Sequence, residues 1–497
     1  LVAGECSSQK TENPMKRNIT DAAPDLTETP EQTVQGRWAL ASLALSMLLA
    51  SLGVSIANIA LPTLAEAFTA SFQQVQWVII AYLLAITVMI VSVGRLGDIL
   101  GHRRVLLAGI LLFTLASILC GVAPTLWLLI VARALQGLGA AILMALTLAL
   151  VREITLKART GSAMGLLGTM SAIGTALGPS LGGFLLAGPG WRAIFLILVP
   201  LGMLNILLAY RYLPASRRKG EPGRSGFDAL GTLLLGLTLG AYALAVTVGG
   251  GDFDALNLAL LLAAALGAGL FVLAQARVAC PLIPVAALRN LLLSASLALN
   301  ALVATVMMAT LVVGPFYLSR ALGLSDVLVG LVMSTGPVIS ALSGVPAGLL
   351  VDRLGAPFMA IAGLVAMAAG AFALSGLPAI FGVAGYLAAI AILTPGYQLF
   401  QAANNTAVML DVSADQRGVI SGLLSLSRNV GLITGAAVMG ALFAFAAMTT
   451  DITTASAQAI AGGMQVTFVV AGLLMVVALG IAAISRMLVK RASVPVA

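Results

Sequence analysis

Charged side chains are scarce in this chain, so each one that interrupts an apolar run calls for a chemical explanation. Arg133 stands in Leu129-Ile130-Val131-Ala132-Arg133-Ala134-Leu135-Gln136-Gly137-Leu138-Gly139, about seven residues into its run and so roughly 10 Å deep at the helical rise. Arg428 lies roughly 13 Å into a later run by the same measure. A guanidinium at such depth in hydrocarbon is expensive and faces a cavity or a partner. There it would favour neutral or anionic solutes over cations. The plainer alternatives are an Arg133 that snorkels to the surface and an Arg428 that hydrogen-bonds a neighbouring helix. Uncharged amides are the other polar candidates. Gln398, Gln401 and Asn405 fall at i, i+3 and i+7, on one helical face, with Asn404 beside them; Asn58, Gln136 and Asn300 stand in other runs. Amides in such positions contact a solute or join one helix to another.

A second constellation sits between two runs. Gly94-Arg95-Leu96-Gly97-Asp98-Ile99-Leu100-Gly101-His102-Arg103-Arg104 places glycines where a chain must turn tightly, an acid able to cap the next helix, and a cluster of cations. Asp98 could instead pair with arginines of a neighbouring element as a breakable latch. The pattern G-x-L-x-D-x-x-G recurs at Gly348–Gly355, with Asp352 in the place of Asp98. A third run carries Gly174, Gly178 and Gly182 on one face beside Pro179. That face admits close approach of another helix, and the proline permits a kink; the spacing suits packing, or a rocking interface between two halves.

The elements that must hold these residues follow from composition. Of 497 residues 60% are apolar and only 9% charged, against about 25% charged in a soluble domain. Continuous Leu-, Ala- and Gly-rich runs recur, each long enough to cross a bilayer as a helix, without the alternation of a membrane barrel. We place spans near 39–61, 75–93, 105–122, 126–150, 161–186 and 193–213, then 229–248 and 255–276, then 291–318, 327–350, 358–376, 380–408, 419–446 and 463–484. Fourteen spans put both ends on one side. With that side cytoplasmic, its loops and tails hold 22 of the 26 Lys and Arg residues, as the positive-inside rule expects. The net charge of +8 therefore belongs to membrane topology, and no nucleic-acid partner is expected.

The repeat divides the chain. Residues 1–36, polar and proline-bearing, read as a disordered cytoplasmic tail. Residues 37–213 and 291–485 form two six-helix bundles, 214–290 a basic loop and two linker helices, and 486–497 a second cytoplasmic tail. Parallel repeats of this kind mark transporters. The fold expected is all-α, an integral membrane protein of two six-helix bundles plus two linker helices.

The loop at 94–104, the Arg133 segment and the glycine-proline span together resemble the major facilitator superfamily. More narrowly the chain is similar to its fourteen-helix drug:proton antiporters, as Trp191-Arg192-Ala193-Ile194-Phe195 and Asn58-Ile59-Ala60-Leu61-Pro62 also suggest. The resemblance implies alternating access. Gly94, Asp98, Gly101, Arg103, Arg104 and Asp352 would gate, Arg133 would couple, and Gly174, Gly178 and Pro179 would form the antiporter span; Arg428 is added as a cavity candidate. Substrate contact is assigned to Asn58, Gln136, Asn300, Gln398, Gln401 and Asn405.

One departure matters. Relatives of that group commonly carry an acid in the first helix, and this chain has Gly53 there. None of the eighteen acidic residues falls near the middle of a span. A cavity without carboxylates has no counter-charge for a lipophilic cation and no usual proton carrier. The expectation is an exporter of small amphiphilic compounds in a bacterial inner membrane, exchanging them for protons, with neutral or anionic substrates favoured. The alternatives are an exporter of one endogenous metabolite or lipid, or an uncoupled facilitator. Three distant cysteines and one histidine offer no metal set; no cofactor is expected, and the bundle pair is complete in a monomer. An embedded enzyme would need a cluster of His, Asp, Glu or Ser at a membrane face, which the sequence lacks.

Overall fold

The computed structural model describes residues 30–154, 160–214, 228–248, 254–277, 290–410, 417–447 and 455–492. Every regular element among them is helical. The N-terminal bundle comprises α1 (Pro30–Ile59), α2 (Leu61–Ala67), α3 (Phe72–Leu100), α4 (His102–Val122), α5 (Leu126–Ile154), α6 (Thr160–Ala187), α7 (Ala193–Leu196) and α8 (Leu198–Tyr212). The linker pair is α9 (Ala229–Thr247) and α10 (Ala255–Arg277). The C-terminal bundle comprises α11 (Leu291–Phe316), α12 (Asp326–Leu354), α13 (Ala356–Leu410), α14 (Arg417–Thr434), α15 (Gly440–Ala446) and α16 (Ala457–Ala492), with π-turns at Tyr317–Ala321 and Gly435–Met439.

Local chemistry sets several boundaries. Ser71 and Gln74 form a reciprocal capping box at the start of α3, satisfying two backbone donors that a helix start leaves open. Asp228 caps α9 and Asn290 caps α11. The two G-x-L-x-D-x-x-G copies end alike: Gly101 (φ 95°) closes α3 and Gly355 (φ 86°) closes α12. Both adopt the left-handed region that a side chain disfavours.

The 55 residues of α13 would run about 80 Å if straight, far beyond a hydrocarbon core of about 30 Å. Gly382 (φ 54°, ψ −128°) interrupts them. The two parts fold back on one another, so that Gly363 abuts Phe400 and Gly370 abuts Leu393. Among the described residues thirteen helical stretches are long and apolar enough to cross a membrane, and this break divides one of them into two, which makes fourteen, as the hydropathy pattern predicts. The start of α1 and the end of α16 share one face, here called the terminal face; the other is the distal face. Within the bundles α1 packs on α6, α3 and α4 on α5, α11 on α14, and α13 on α12 and α16. The bundles meet where α6 lies against α12 and α3 against α14.

Candidate functional site

A cavity of about 870 Å³ separates the bundles, bounded by α1, α3, α5 and α6 on one side and α11 to α14 on the other. Its walls are mostly apolar. Met47 and Met144 face Met307, Met308 and Met333 across it, and methionine's flexible, polarizable thioether adapts to varied shapes. Hydroxyls break the apolar surface: Ser51, Ser171 and Thr175 on the first bundle, and Thr310, Thr335, Ser340, Thr394 and Tyr397 on the second. Among the described residues Arg428 is the single charged member of the lining, with Asn429 beside it, and no carboxylate contributes.

Toward the terminal face the walls include Gly94, Leu148, Gly168 and Gly422. The distal face is shut. Phe72 of α3 sits 4.8 Å from Phe316 and 5.4 Å from Phe443, ring centre to ring centre, both nearly edge-on. This joins the bundles through three rings. Beside them Glu66 of α2 pairs with Arg320 of the first π-turn. The distal ends of α6 and α12 touch closely: a Cβ on Gly183 would come 2.5 Å from Asp326 O and 3.0 Å from Gly330 Cα. The bundles are therefore in close contact at the distal face, and the cavity extends between them toward the terminal face.

Arg133 is fully buried inside the first bundle. Its Nε donates to Val78 O at 2.9 Å, and Nη1 to Gly53 O at 3.0 Å and Gln136 Oε1 at 2.5 Å. The guanidinium lies 4.1 Å from the centre of the Tyr82 ring. It does not snorkel; it ties α5 to α1 and α3, and it reaches the backbone of the very glycine that stands where an acid was expected. A Cβ on Gly53 would come 3.0 Å from Tyr82 Oη.

The amides are placed otherwise than expected. Gln136 serves Arg133 and donates to Ser117 Oγ, and Asn300 donates to Leu424 O, joining α11 to α14. Gln398 donates to Ser340 Oγ between α13 and α12, and Gln401 to Tyr397 Oη at 3.4 Å. Asn58 is buried in α1 and Asn405 is exposed. None of these six lines the cavity: Gln136, Asn300 and Gln398 bond a neighbouring helix instead, and serines and threonines take most of the polar positions on the inner face.

The glycine stripe takes the packing alternative, within one bundle. Gly174 and Gly178 pack on α1 of the same bundle: a Cβ at 174 would come 2.7 Å from Leu48 O, and one at 178 would come 2.9 Å from Ile56 N. Contact between the bundles falls instead to Gly183 and to the carbonyl of Pro179, which Gly330 approaches. Arg103 Nη2 donates to Tyr210 O at 2.6 Å, within the first bundle; Arg104 and Asp352 are exposed. The side chain of Asp98 lies outside the described residues. The Glu66–Arg320 pair was not foreseen, since helix ends on the same face give no sequence signal of which partner they meet.

The Major Facilitator Superfamily model matches residues 43–436. Among curated proteins the chain is 32% identical over 403 residues to the uncharacterized transporter YebQ of Escherichia coli (strain K12), covering 81% of this chain and 88% of that one. It is 31% identical over 460 residues to the multidrug efflux pump LfrA of Mycolicibacterium smegmatis, covering 90% of each. The crystal structure of a bacterial homologue of the human lysosomal transporter Spinster, inward-facing and unoccupied, superposes with a TM-score of 0.69 at 16% identity, over 93% of this chain and 99% of that one.

Proposed function

The chain belongs to the major facilitator superfamily, and on that premise we propose that it exports small amphiphilic compounds from the cytoplasm by alternating access, in exchange for protons. The observation that carries this reading is the cavity: Met-rich and hydroxyl-bearing, set between two bundles that pack closely at the distal face. Adaptable apolar walls with dispersed hydroxyls suit varied amphiphiles rather than one rigid solute. The similarity to a multidrug efflux pump supports the same direction of transport.

The charge of the lining narrows the substrate. With Arg428 as the charged member and no carboxylate among the described lining residues, the cavity favours neutral or anionic compounds, because a cation entering a low-dielectric space would meet a like charge. Among the described helices the acids keep to the ends: Glu66 in α2, Asp228 at the cap of α9, Asp326 and Asp352 at the two ends of α12. Gly53 stands where the resemblance leads one to expect an acid, and the Arg133 guanidinium bonds its carbonyl. That feature favours a second reading, a facilitator without proton coupling.

Proteoliposomes with an imposed pH gradient and an internal pH-sensitive dye separate the two. Neutral and anionic compounds should move protons across the membrane, and Arg133→Ala should abolish the signal. Strong responses to lipophilic cations would refute the substrate charge. Substrate flux without proton flux would establish the second reading.

A further inference from the structure

Hydrogen-bond donors are divided unequally between the two walls of the cavity. On the first bundle the polar lining is Ser51, Ser171 and Thr175, and these bond within the wall. Ser51 Oγ and Ser171 Oγ share a hydrogen bond of 2.6 Å, and Thr175 Oγ1 donates to Ser171 O at 3.0 Å, so that at most one hydroxyl proton is left for a solute. The rest of that wall is apolar, with Met47, Leu83, Ile86 and Met144 among its members. Among the described residues it offers the cavity no charge and no amide.

On the second bundle Thr310 and Thr335 are likewise committed, donating to Met307 O at 2.7 Å and Val332 O at 2.6 Å in their own helices. Three other donors are not. Arg428 is exposed to the cavity, and Asn429 lines it although only 5% exposed; among the described residues neither side chain has a hydrogen-bond partner. Tyr397 Oη accepts from Gln401 Nε2 at 3.4 Å, which leaves its own proton to donate. Arg428 and Asn429 lie eleven and twelve residues from the start of α14, and Tyr397 thirteen from the end of α13. All three therefore stand about 16–20 Å along their helices from the terminal face. A solute oxygen at that level meets donors that no described part of the protein engages.

We infer that the second bundle alone holds the polar edge of the solute, and that the substrates are one-edged amphiphilic anions: a carboxylate or sulfonate seated on Arg428, Asn429 and Tyr397, with an apolar face against Met47, Leu83 and Met144. An anionic group of this kind accepts from all three donors at once. A second anion on the opposite edge would be desolvated against methionine and leucine with no donor to meet it, a cost that outweighs its attraction to Arg428. The inference deepens the exporter reading and rests on it for transport; the grip itself rests on the difference between the walls.

The test uses the full chain in lipid nanodiscs and equilibrium binding of radiolabelled naphthalene monocarboxylate, its neutral carboxamide, and the dicarboxylate with acids on opposite edges. The monocarboxylate should bind about tenfold tighter than either of the others. Arg428→Gln should weaken it about tenfold and the carboxamide less than about twofold, the retained carboxamide binding showing that the variant is folded. Tyr397→Phe should weaken the monocarboxylate about fivefold. Met144→Gln, which sets a donor on the apolar wall, should strengthen the dicarboxylate about fivefold and leave the monocarboxylate within about twofold. Three results overturn the one-edged grip: a dicarboxylate or carboxamide that binds the unaltered chain as tightly as the monocarboxylate, no gain for the dicarboxylate in Met144→Gln, or equal losses of monocarboxylate and carboxamide in Arg428→Gln. Absence of monocarboxylate binding overturns it as well. Selective binding without efflux of the monocarboxylate from proteoliposomes refutes the exporter reading and upholds the grip.

Discussion

Replacing Gly178 by alanine should separate α6 from α1 and weaken the first bundle. The added Cβ would overlap the Ser55 hydroxyl, and would come 2.6 Å from Ser55 Cβ and 2.9 Å from Ile56 N. Ser55 cannot simply swing aside: its Oγ bonds Gly174 O at 3.1 Å and Ser51 O at 3.2 Å. The backbone nitrogen of Ile56 cannot move without α1. Alanine in a helix gains about 1 kcal/mol over glycine, while overpacking a tight contact costs about 1–3 kcal/mol, so the net expected loss is about 0–2 kcal/mol. Gly168→Ala supplies the comparison. It has the same propensity gain and no atom within 4 Å of the new Cβ, so it should be neutral or stabilising by up to about 1 kcal/mol. Thermal unfolding of the lipid-reconstituted protein should rank Gly178→Ala below the unaltered chain and Gly168→Ala at or above it. In Gly178→Ala the companion change Ser55→Ala should recover part of the loss, a positive coupling of about 0.5 kcal/mol or more between touching residues. If Gly178→Ala proves as stable as Gly168→Ala, the close approach of α1 and α6 is not what the glycine serves.

Arg428→Gln should reduce export of anionic compounds about tenfold relative to neutral ones of similar shape, the effect of losing roughly one charge-assisted hydrogen bond; equal effects on both would remove Arg428 from substrate recognition. Glu66→Gln should loosen the distal closure modestly. The partners are 56% and 28% exposed, and pairs in such surroundings contribute about 0–1 kcal/mol, so spin-label distances across the distal face should show a population shift of about fivefold at most. Gly382→Ala should destabilise the turn inside α13 by about 1–3 kcal/mol, since φ is 54° and ψ −128° there; unchanged unfolding would mean that the break relaxes to accommodate a side chain.

The spans were legible because hydropathy accumulates over some twenty residues and tolerates local error. The turns after the repeated G-x-L-x-D-x-x-G pattern were legible because Gly101 and Gly355 answer to backbone geometry alone. Which way an isolated polar residue faces was not. A single amide gives no periodicity, so the rotation that turns Asn300 to Leu424 O and Gln136 to Arg133 depends on how whole helices pack. The methionines of the lining were invisible for the opposite reason: Met47, Met308 and Met333 read as ordinary apolar residues in an apolar run. Arg133 was flagged correctly as a residue that cannot face lipid, but its partners are backbone carbonyls and a tyrosine ring, which every sequence contains in abundance.

The distal closure by Phe72, Phe316 and Phe443 also bears on insulation. A barrier of edge-packed aromatic rings disfavours water by dewetting, and so interrupts any chain of hydrogen-bonded water along which protons could slip. It carries no net charge, so neither the ionic strength outside nor the voltage across the bilayer acts on it directly, in contrast to the Glu66–Arg320 pair beside it. Opening this side would instead have to uncover all three rings at once, so the cost of the transition is set by apolar surface and not by charge.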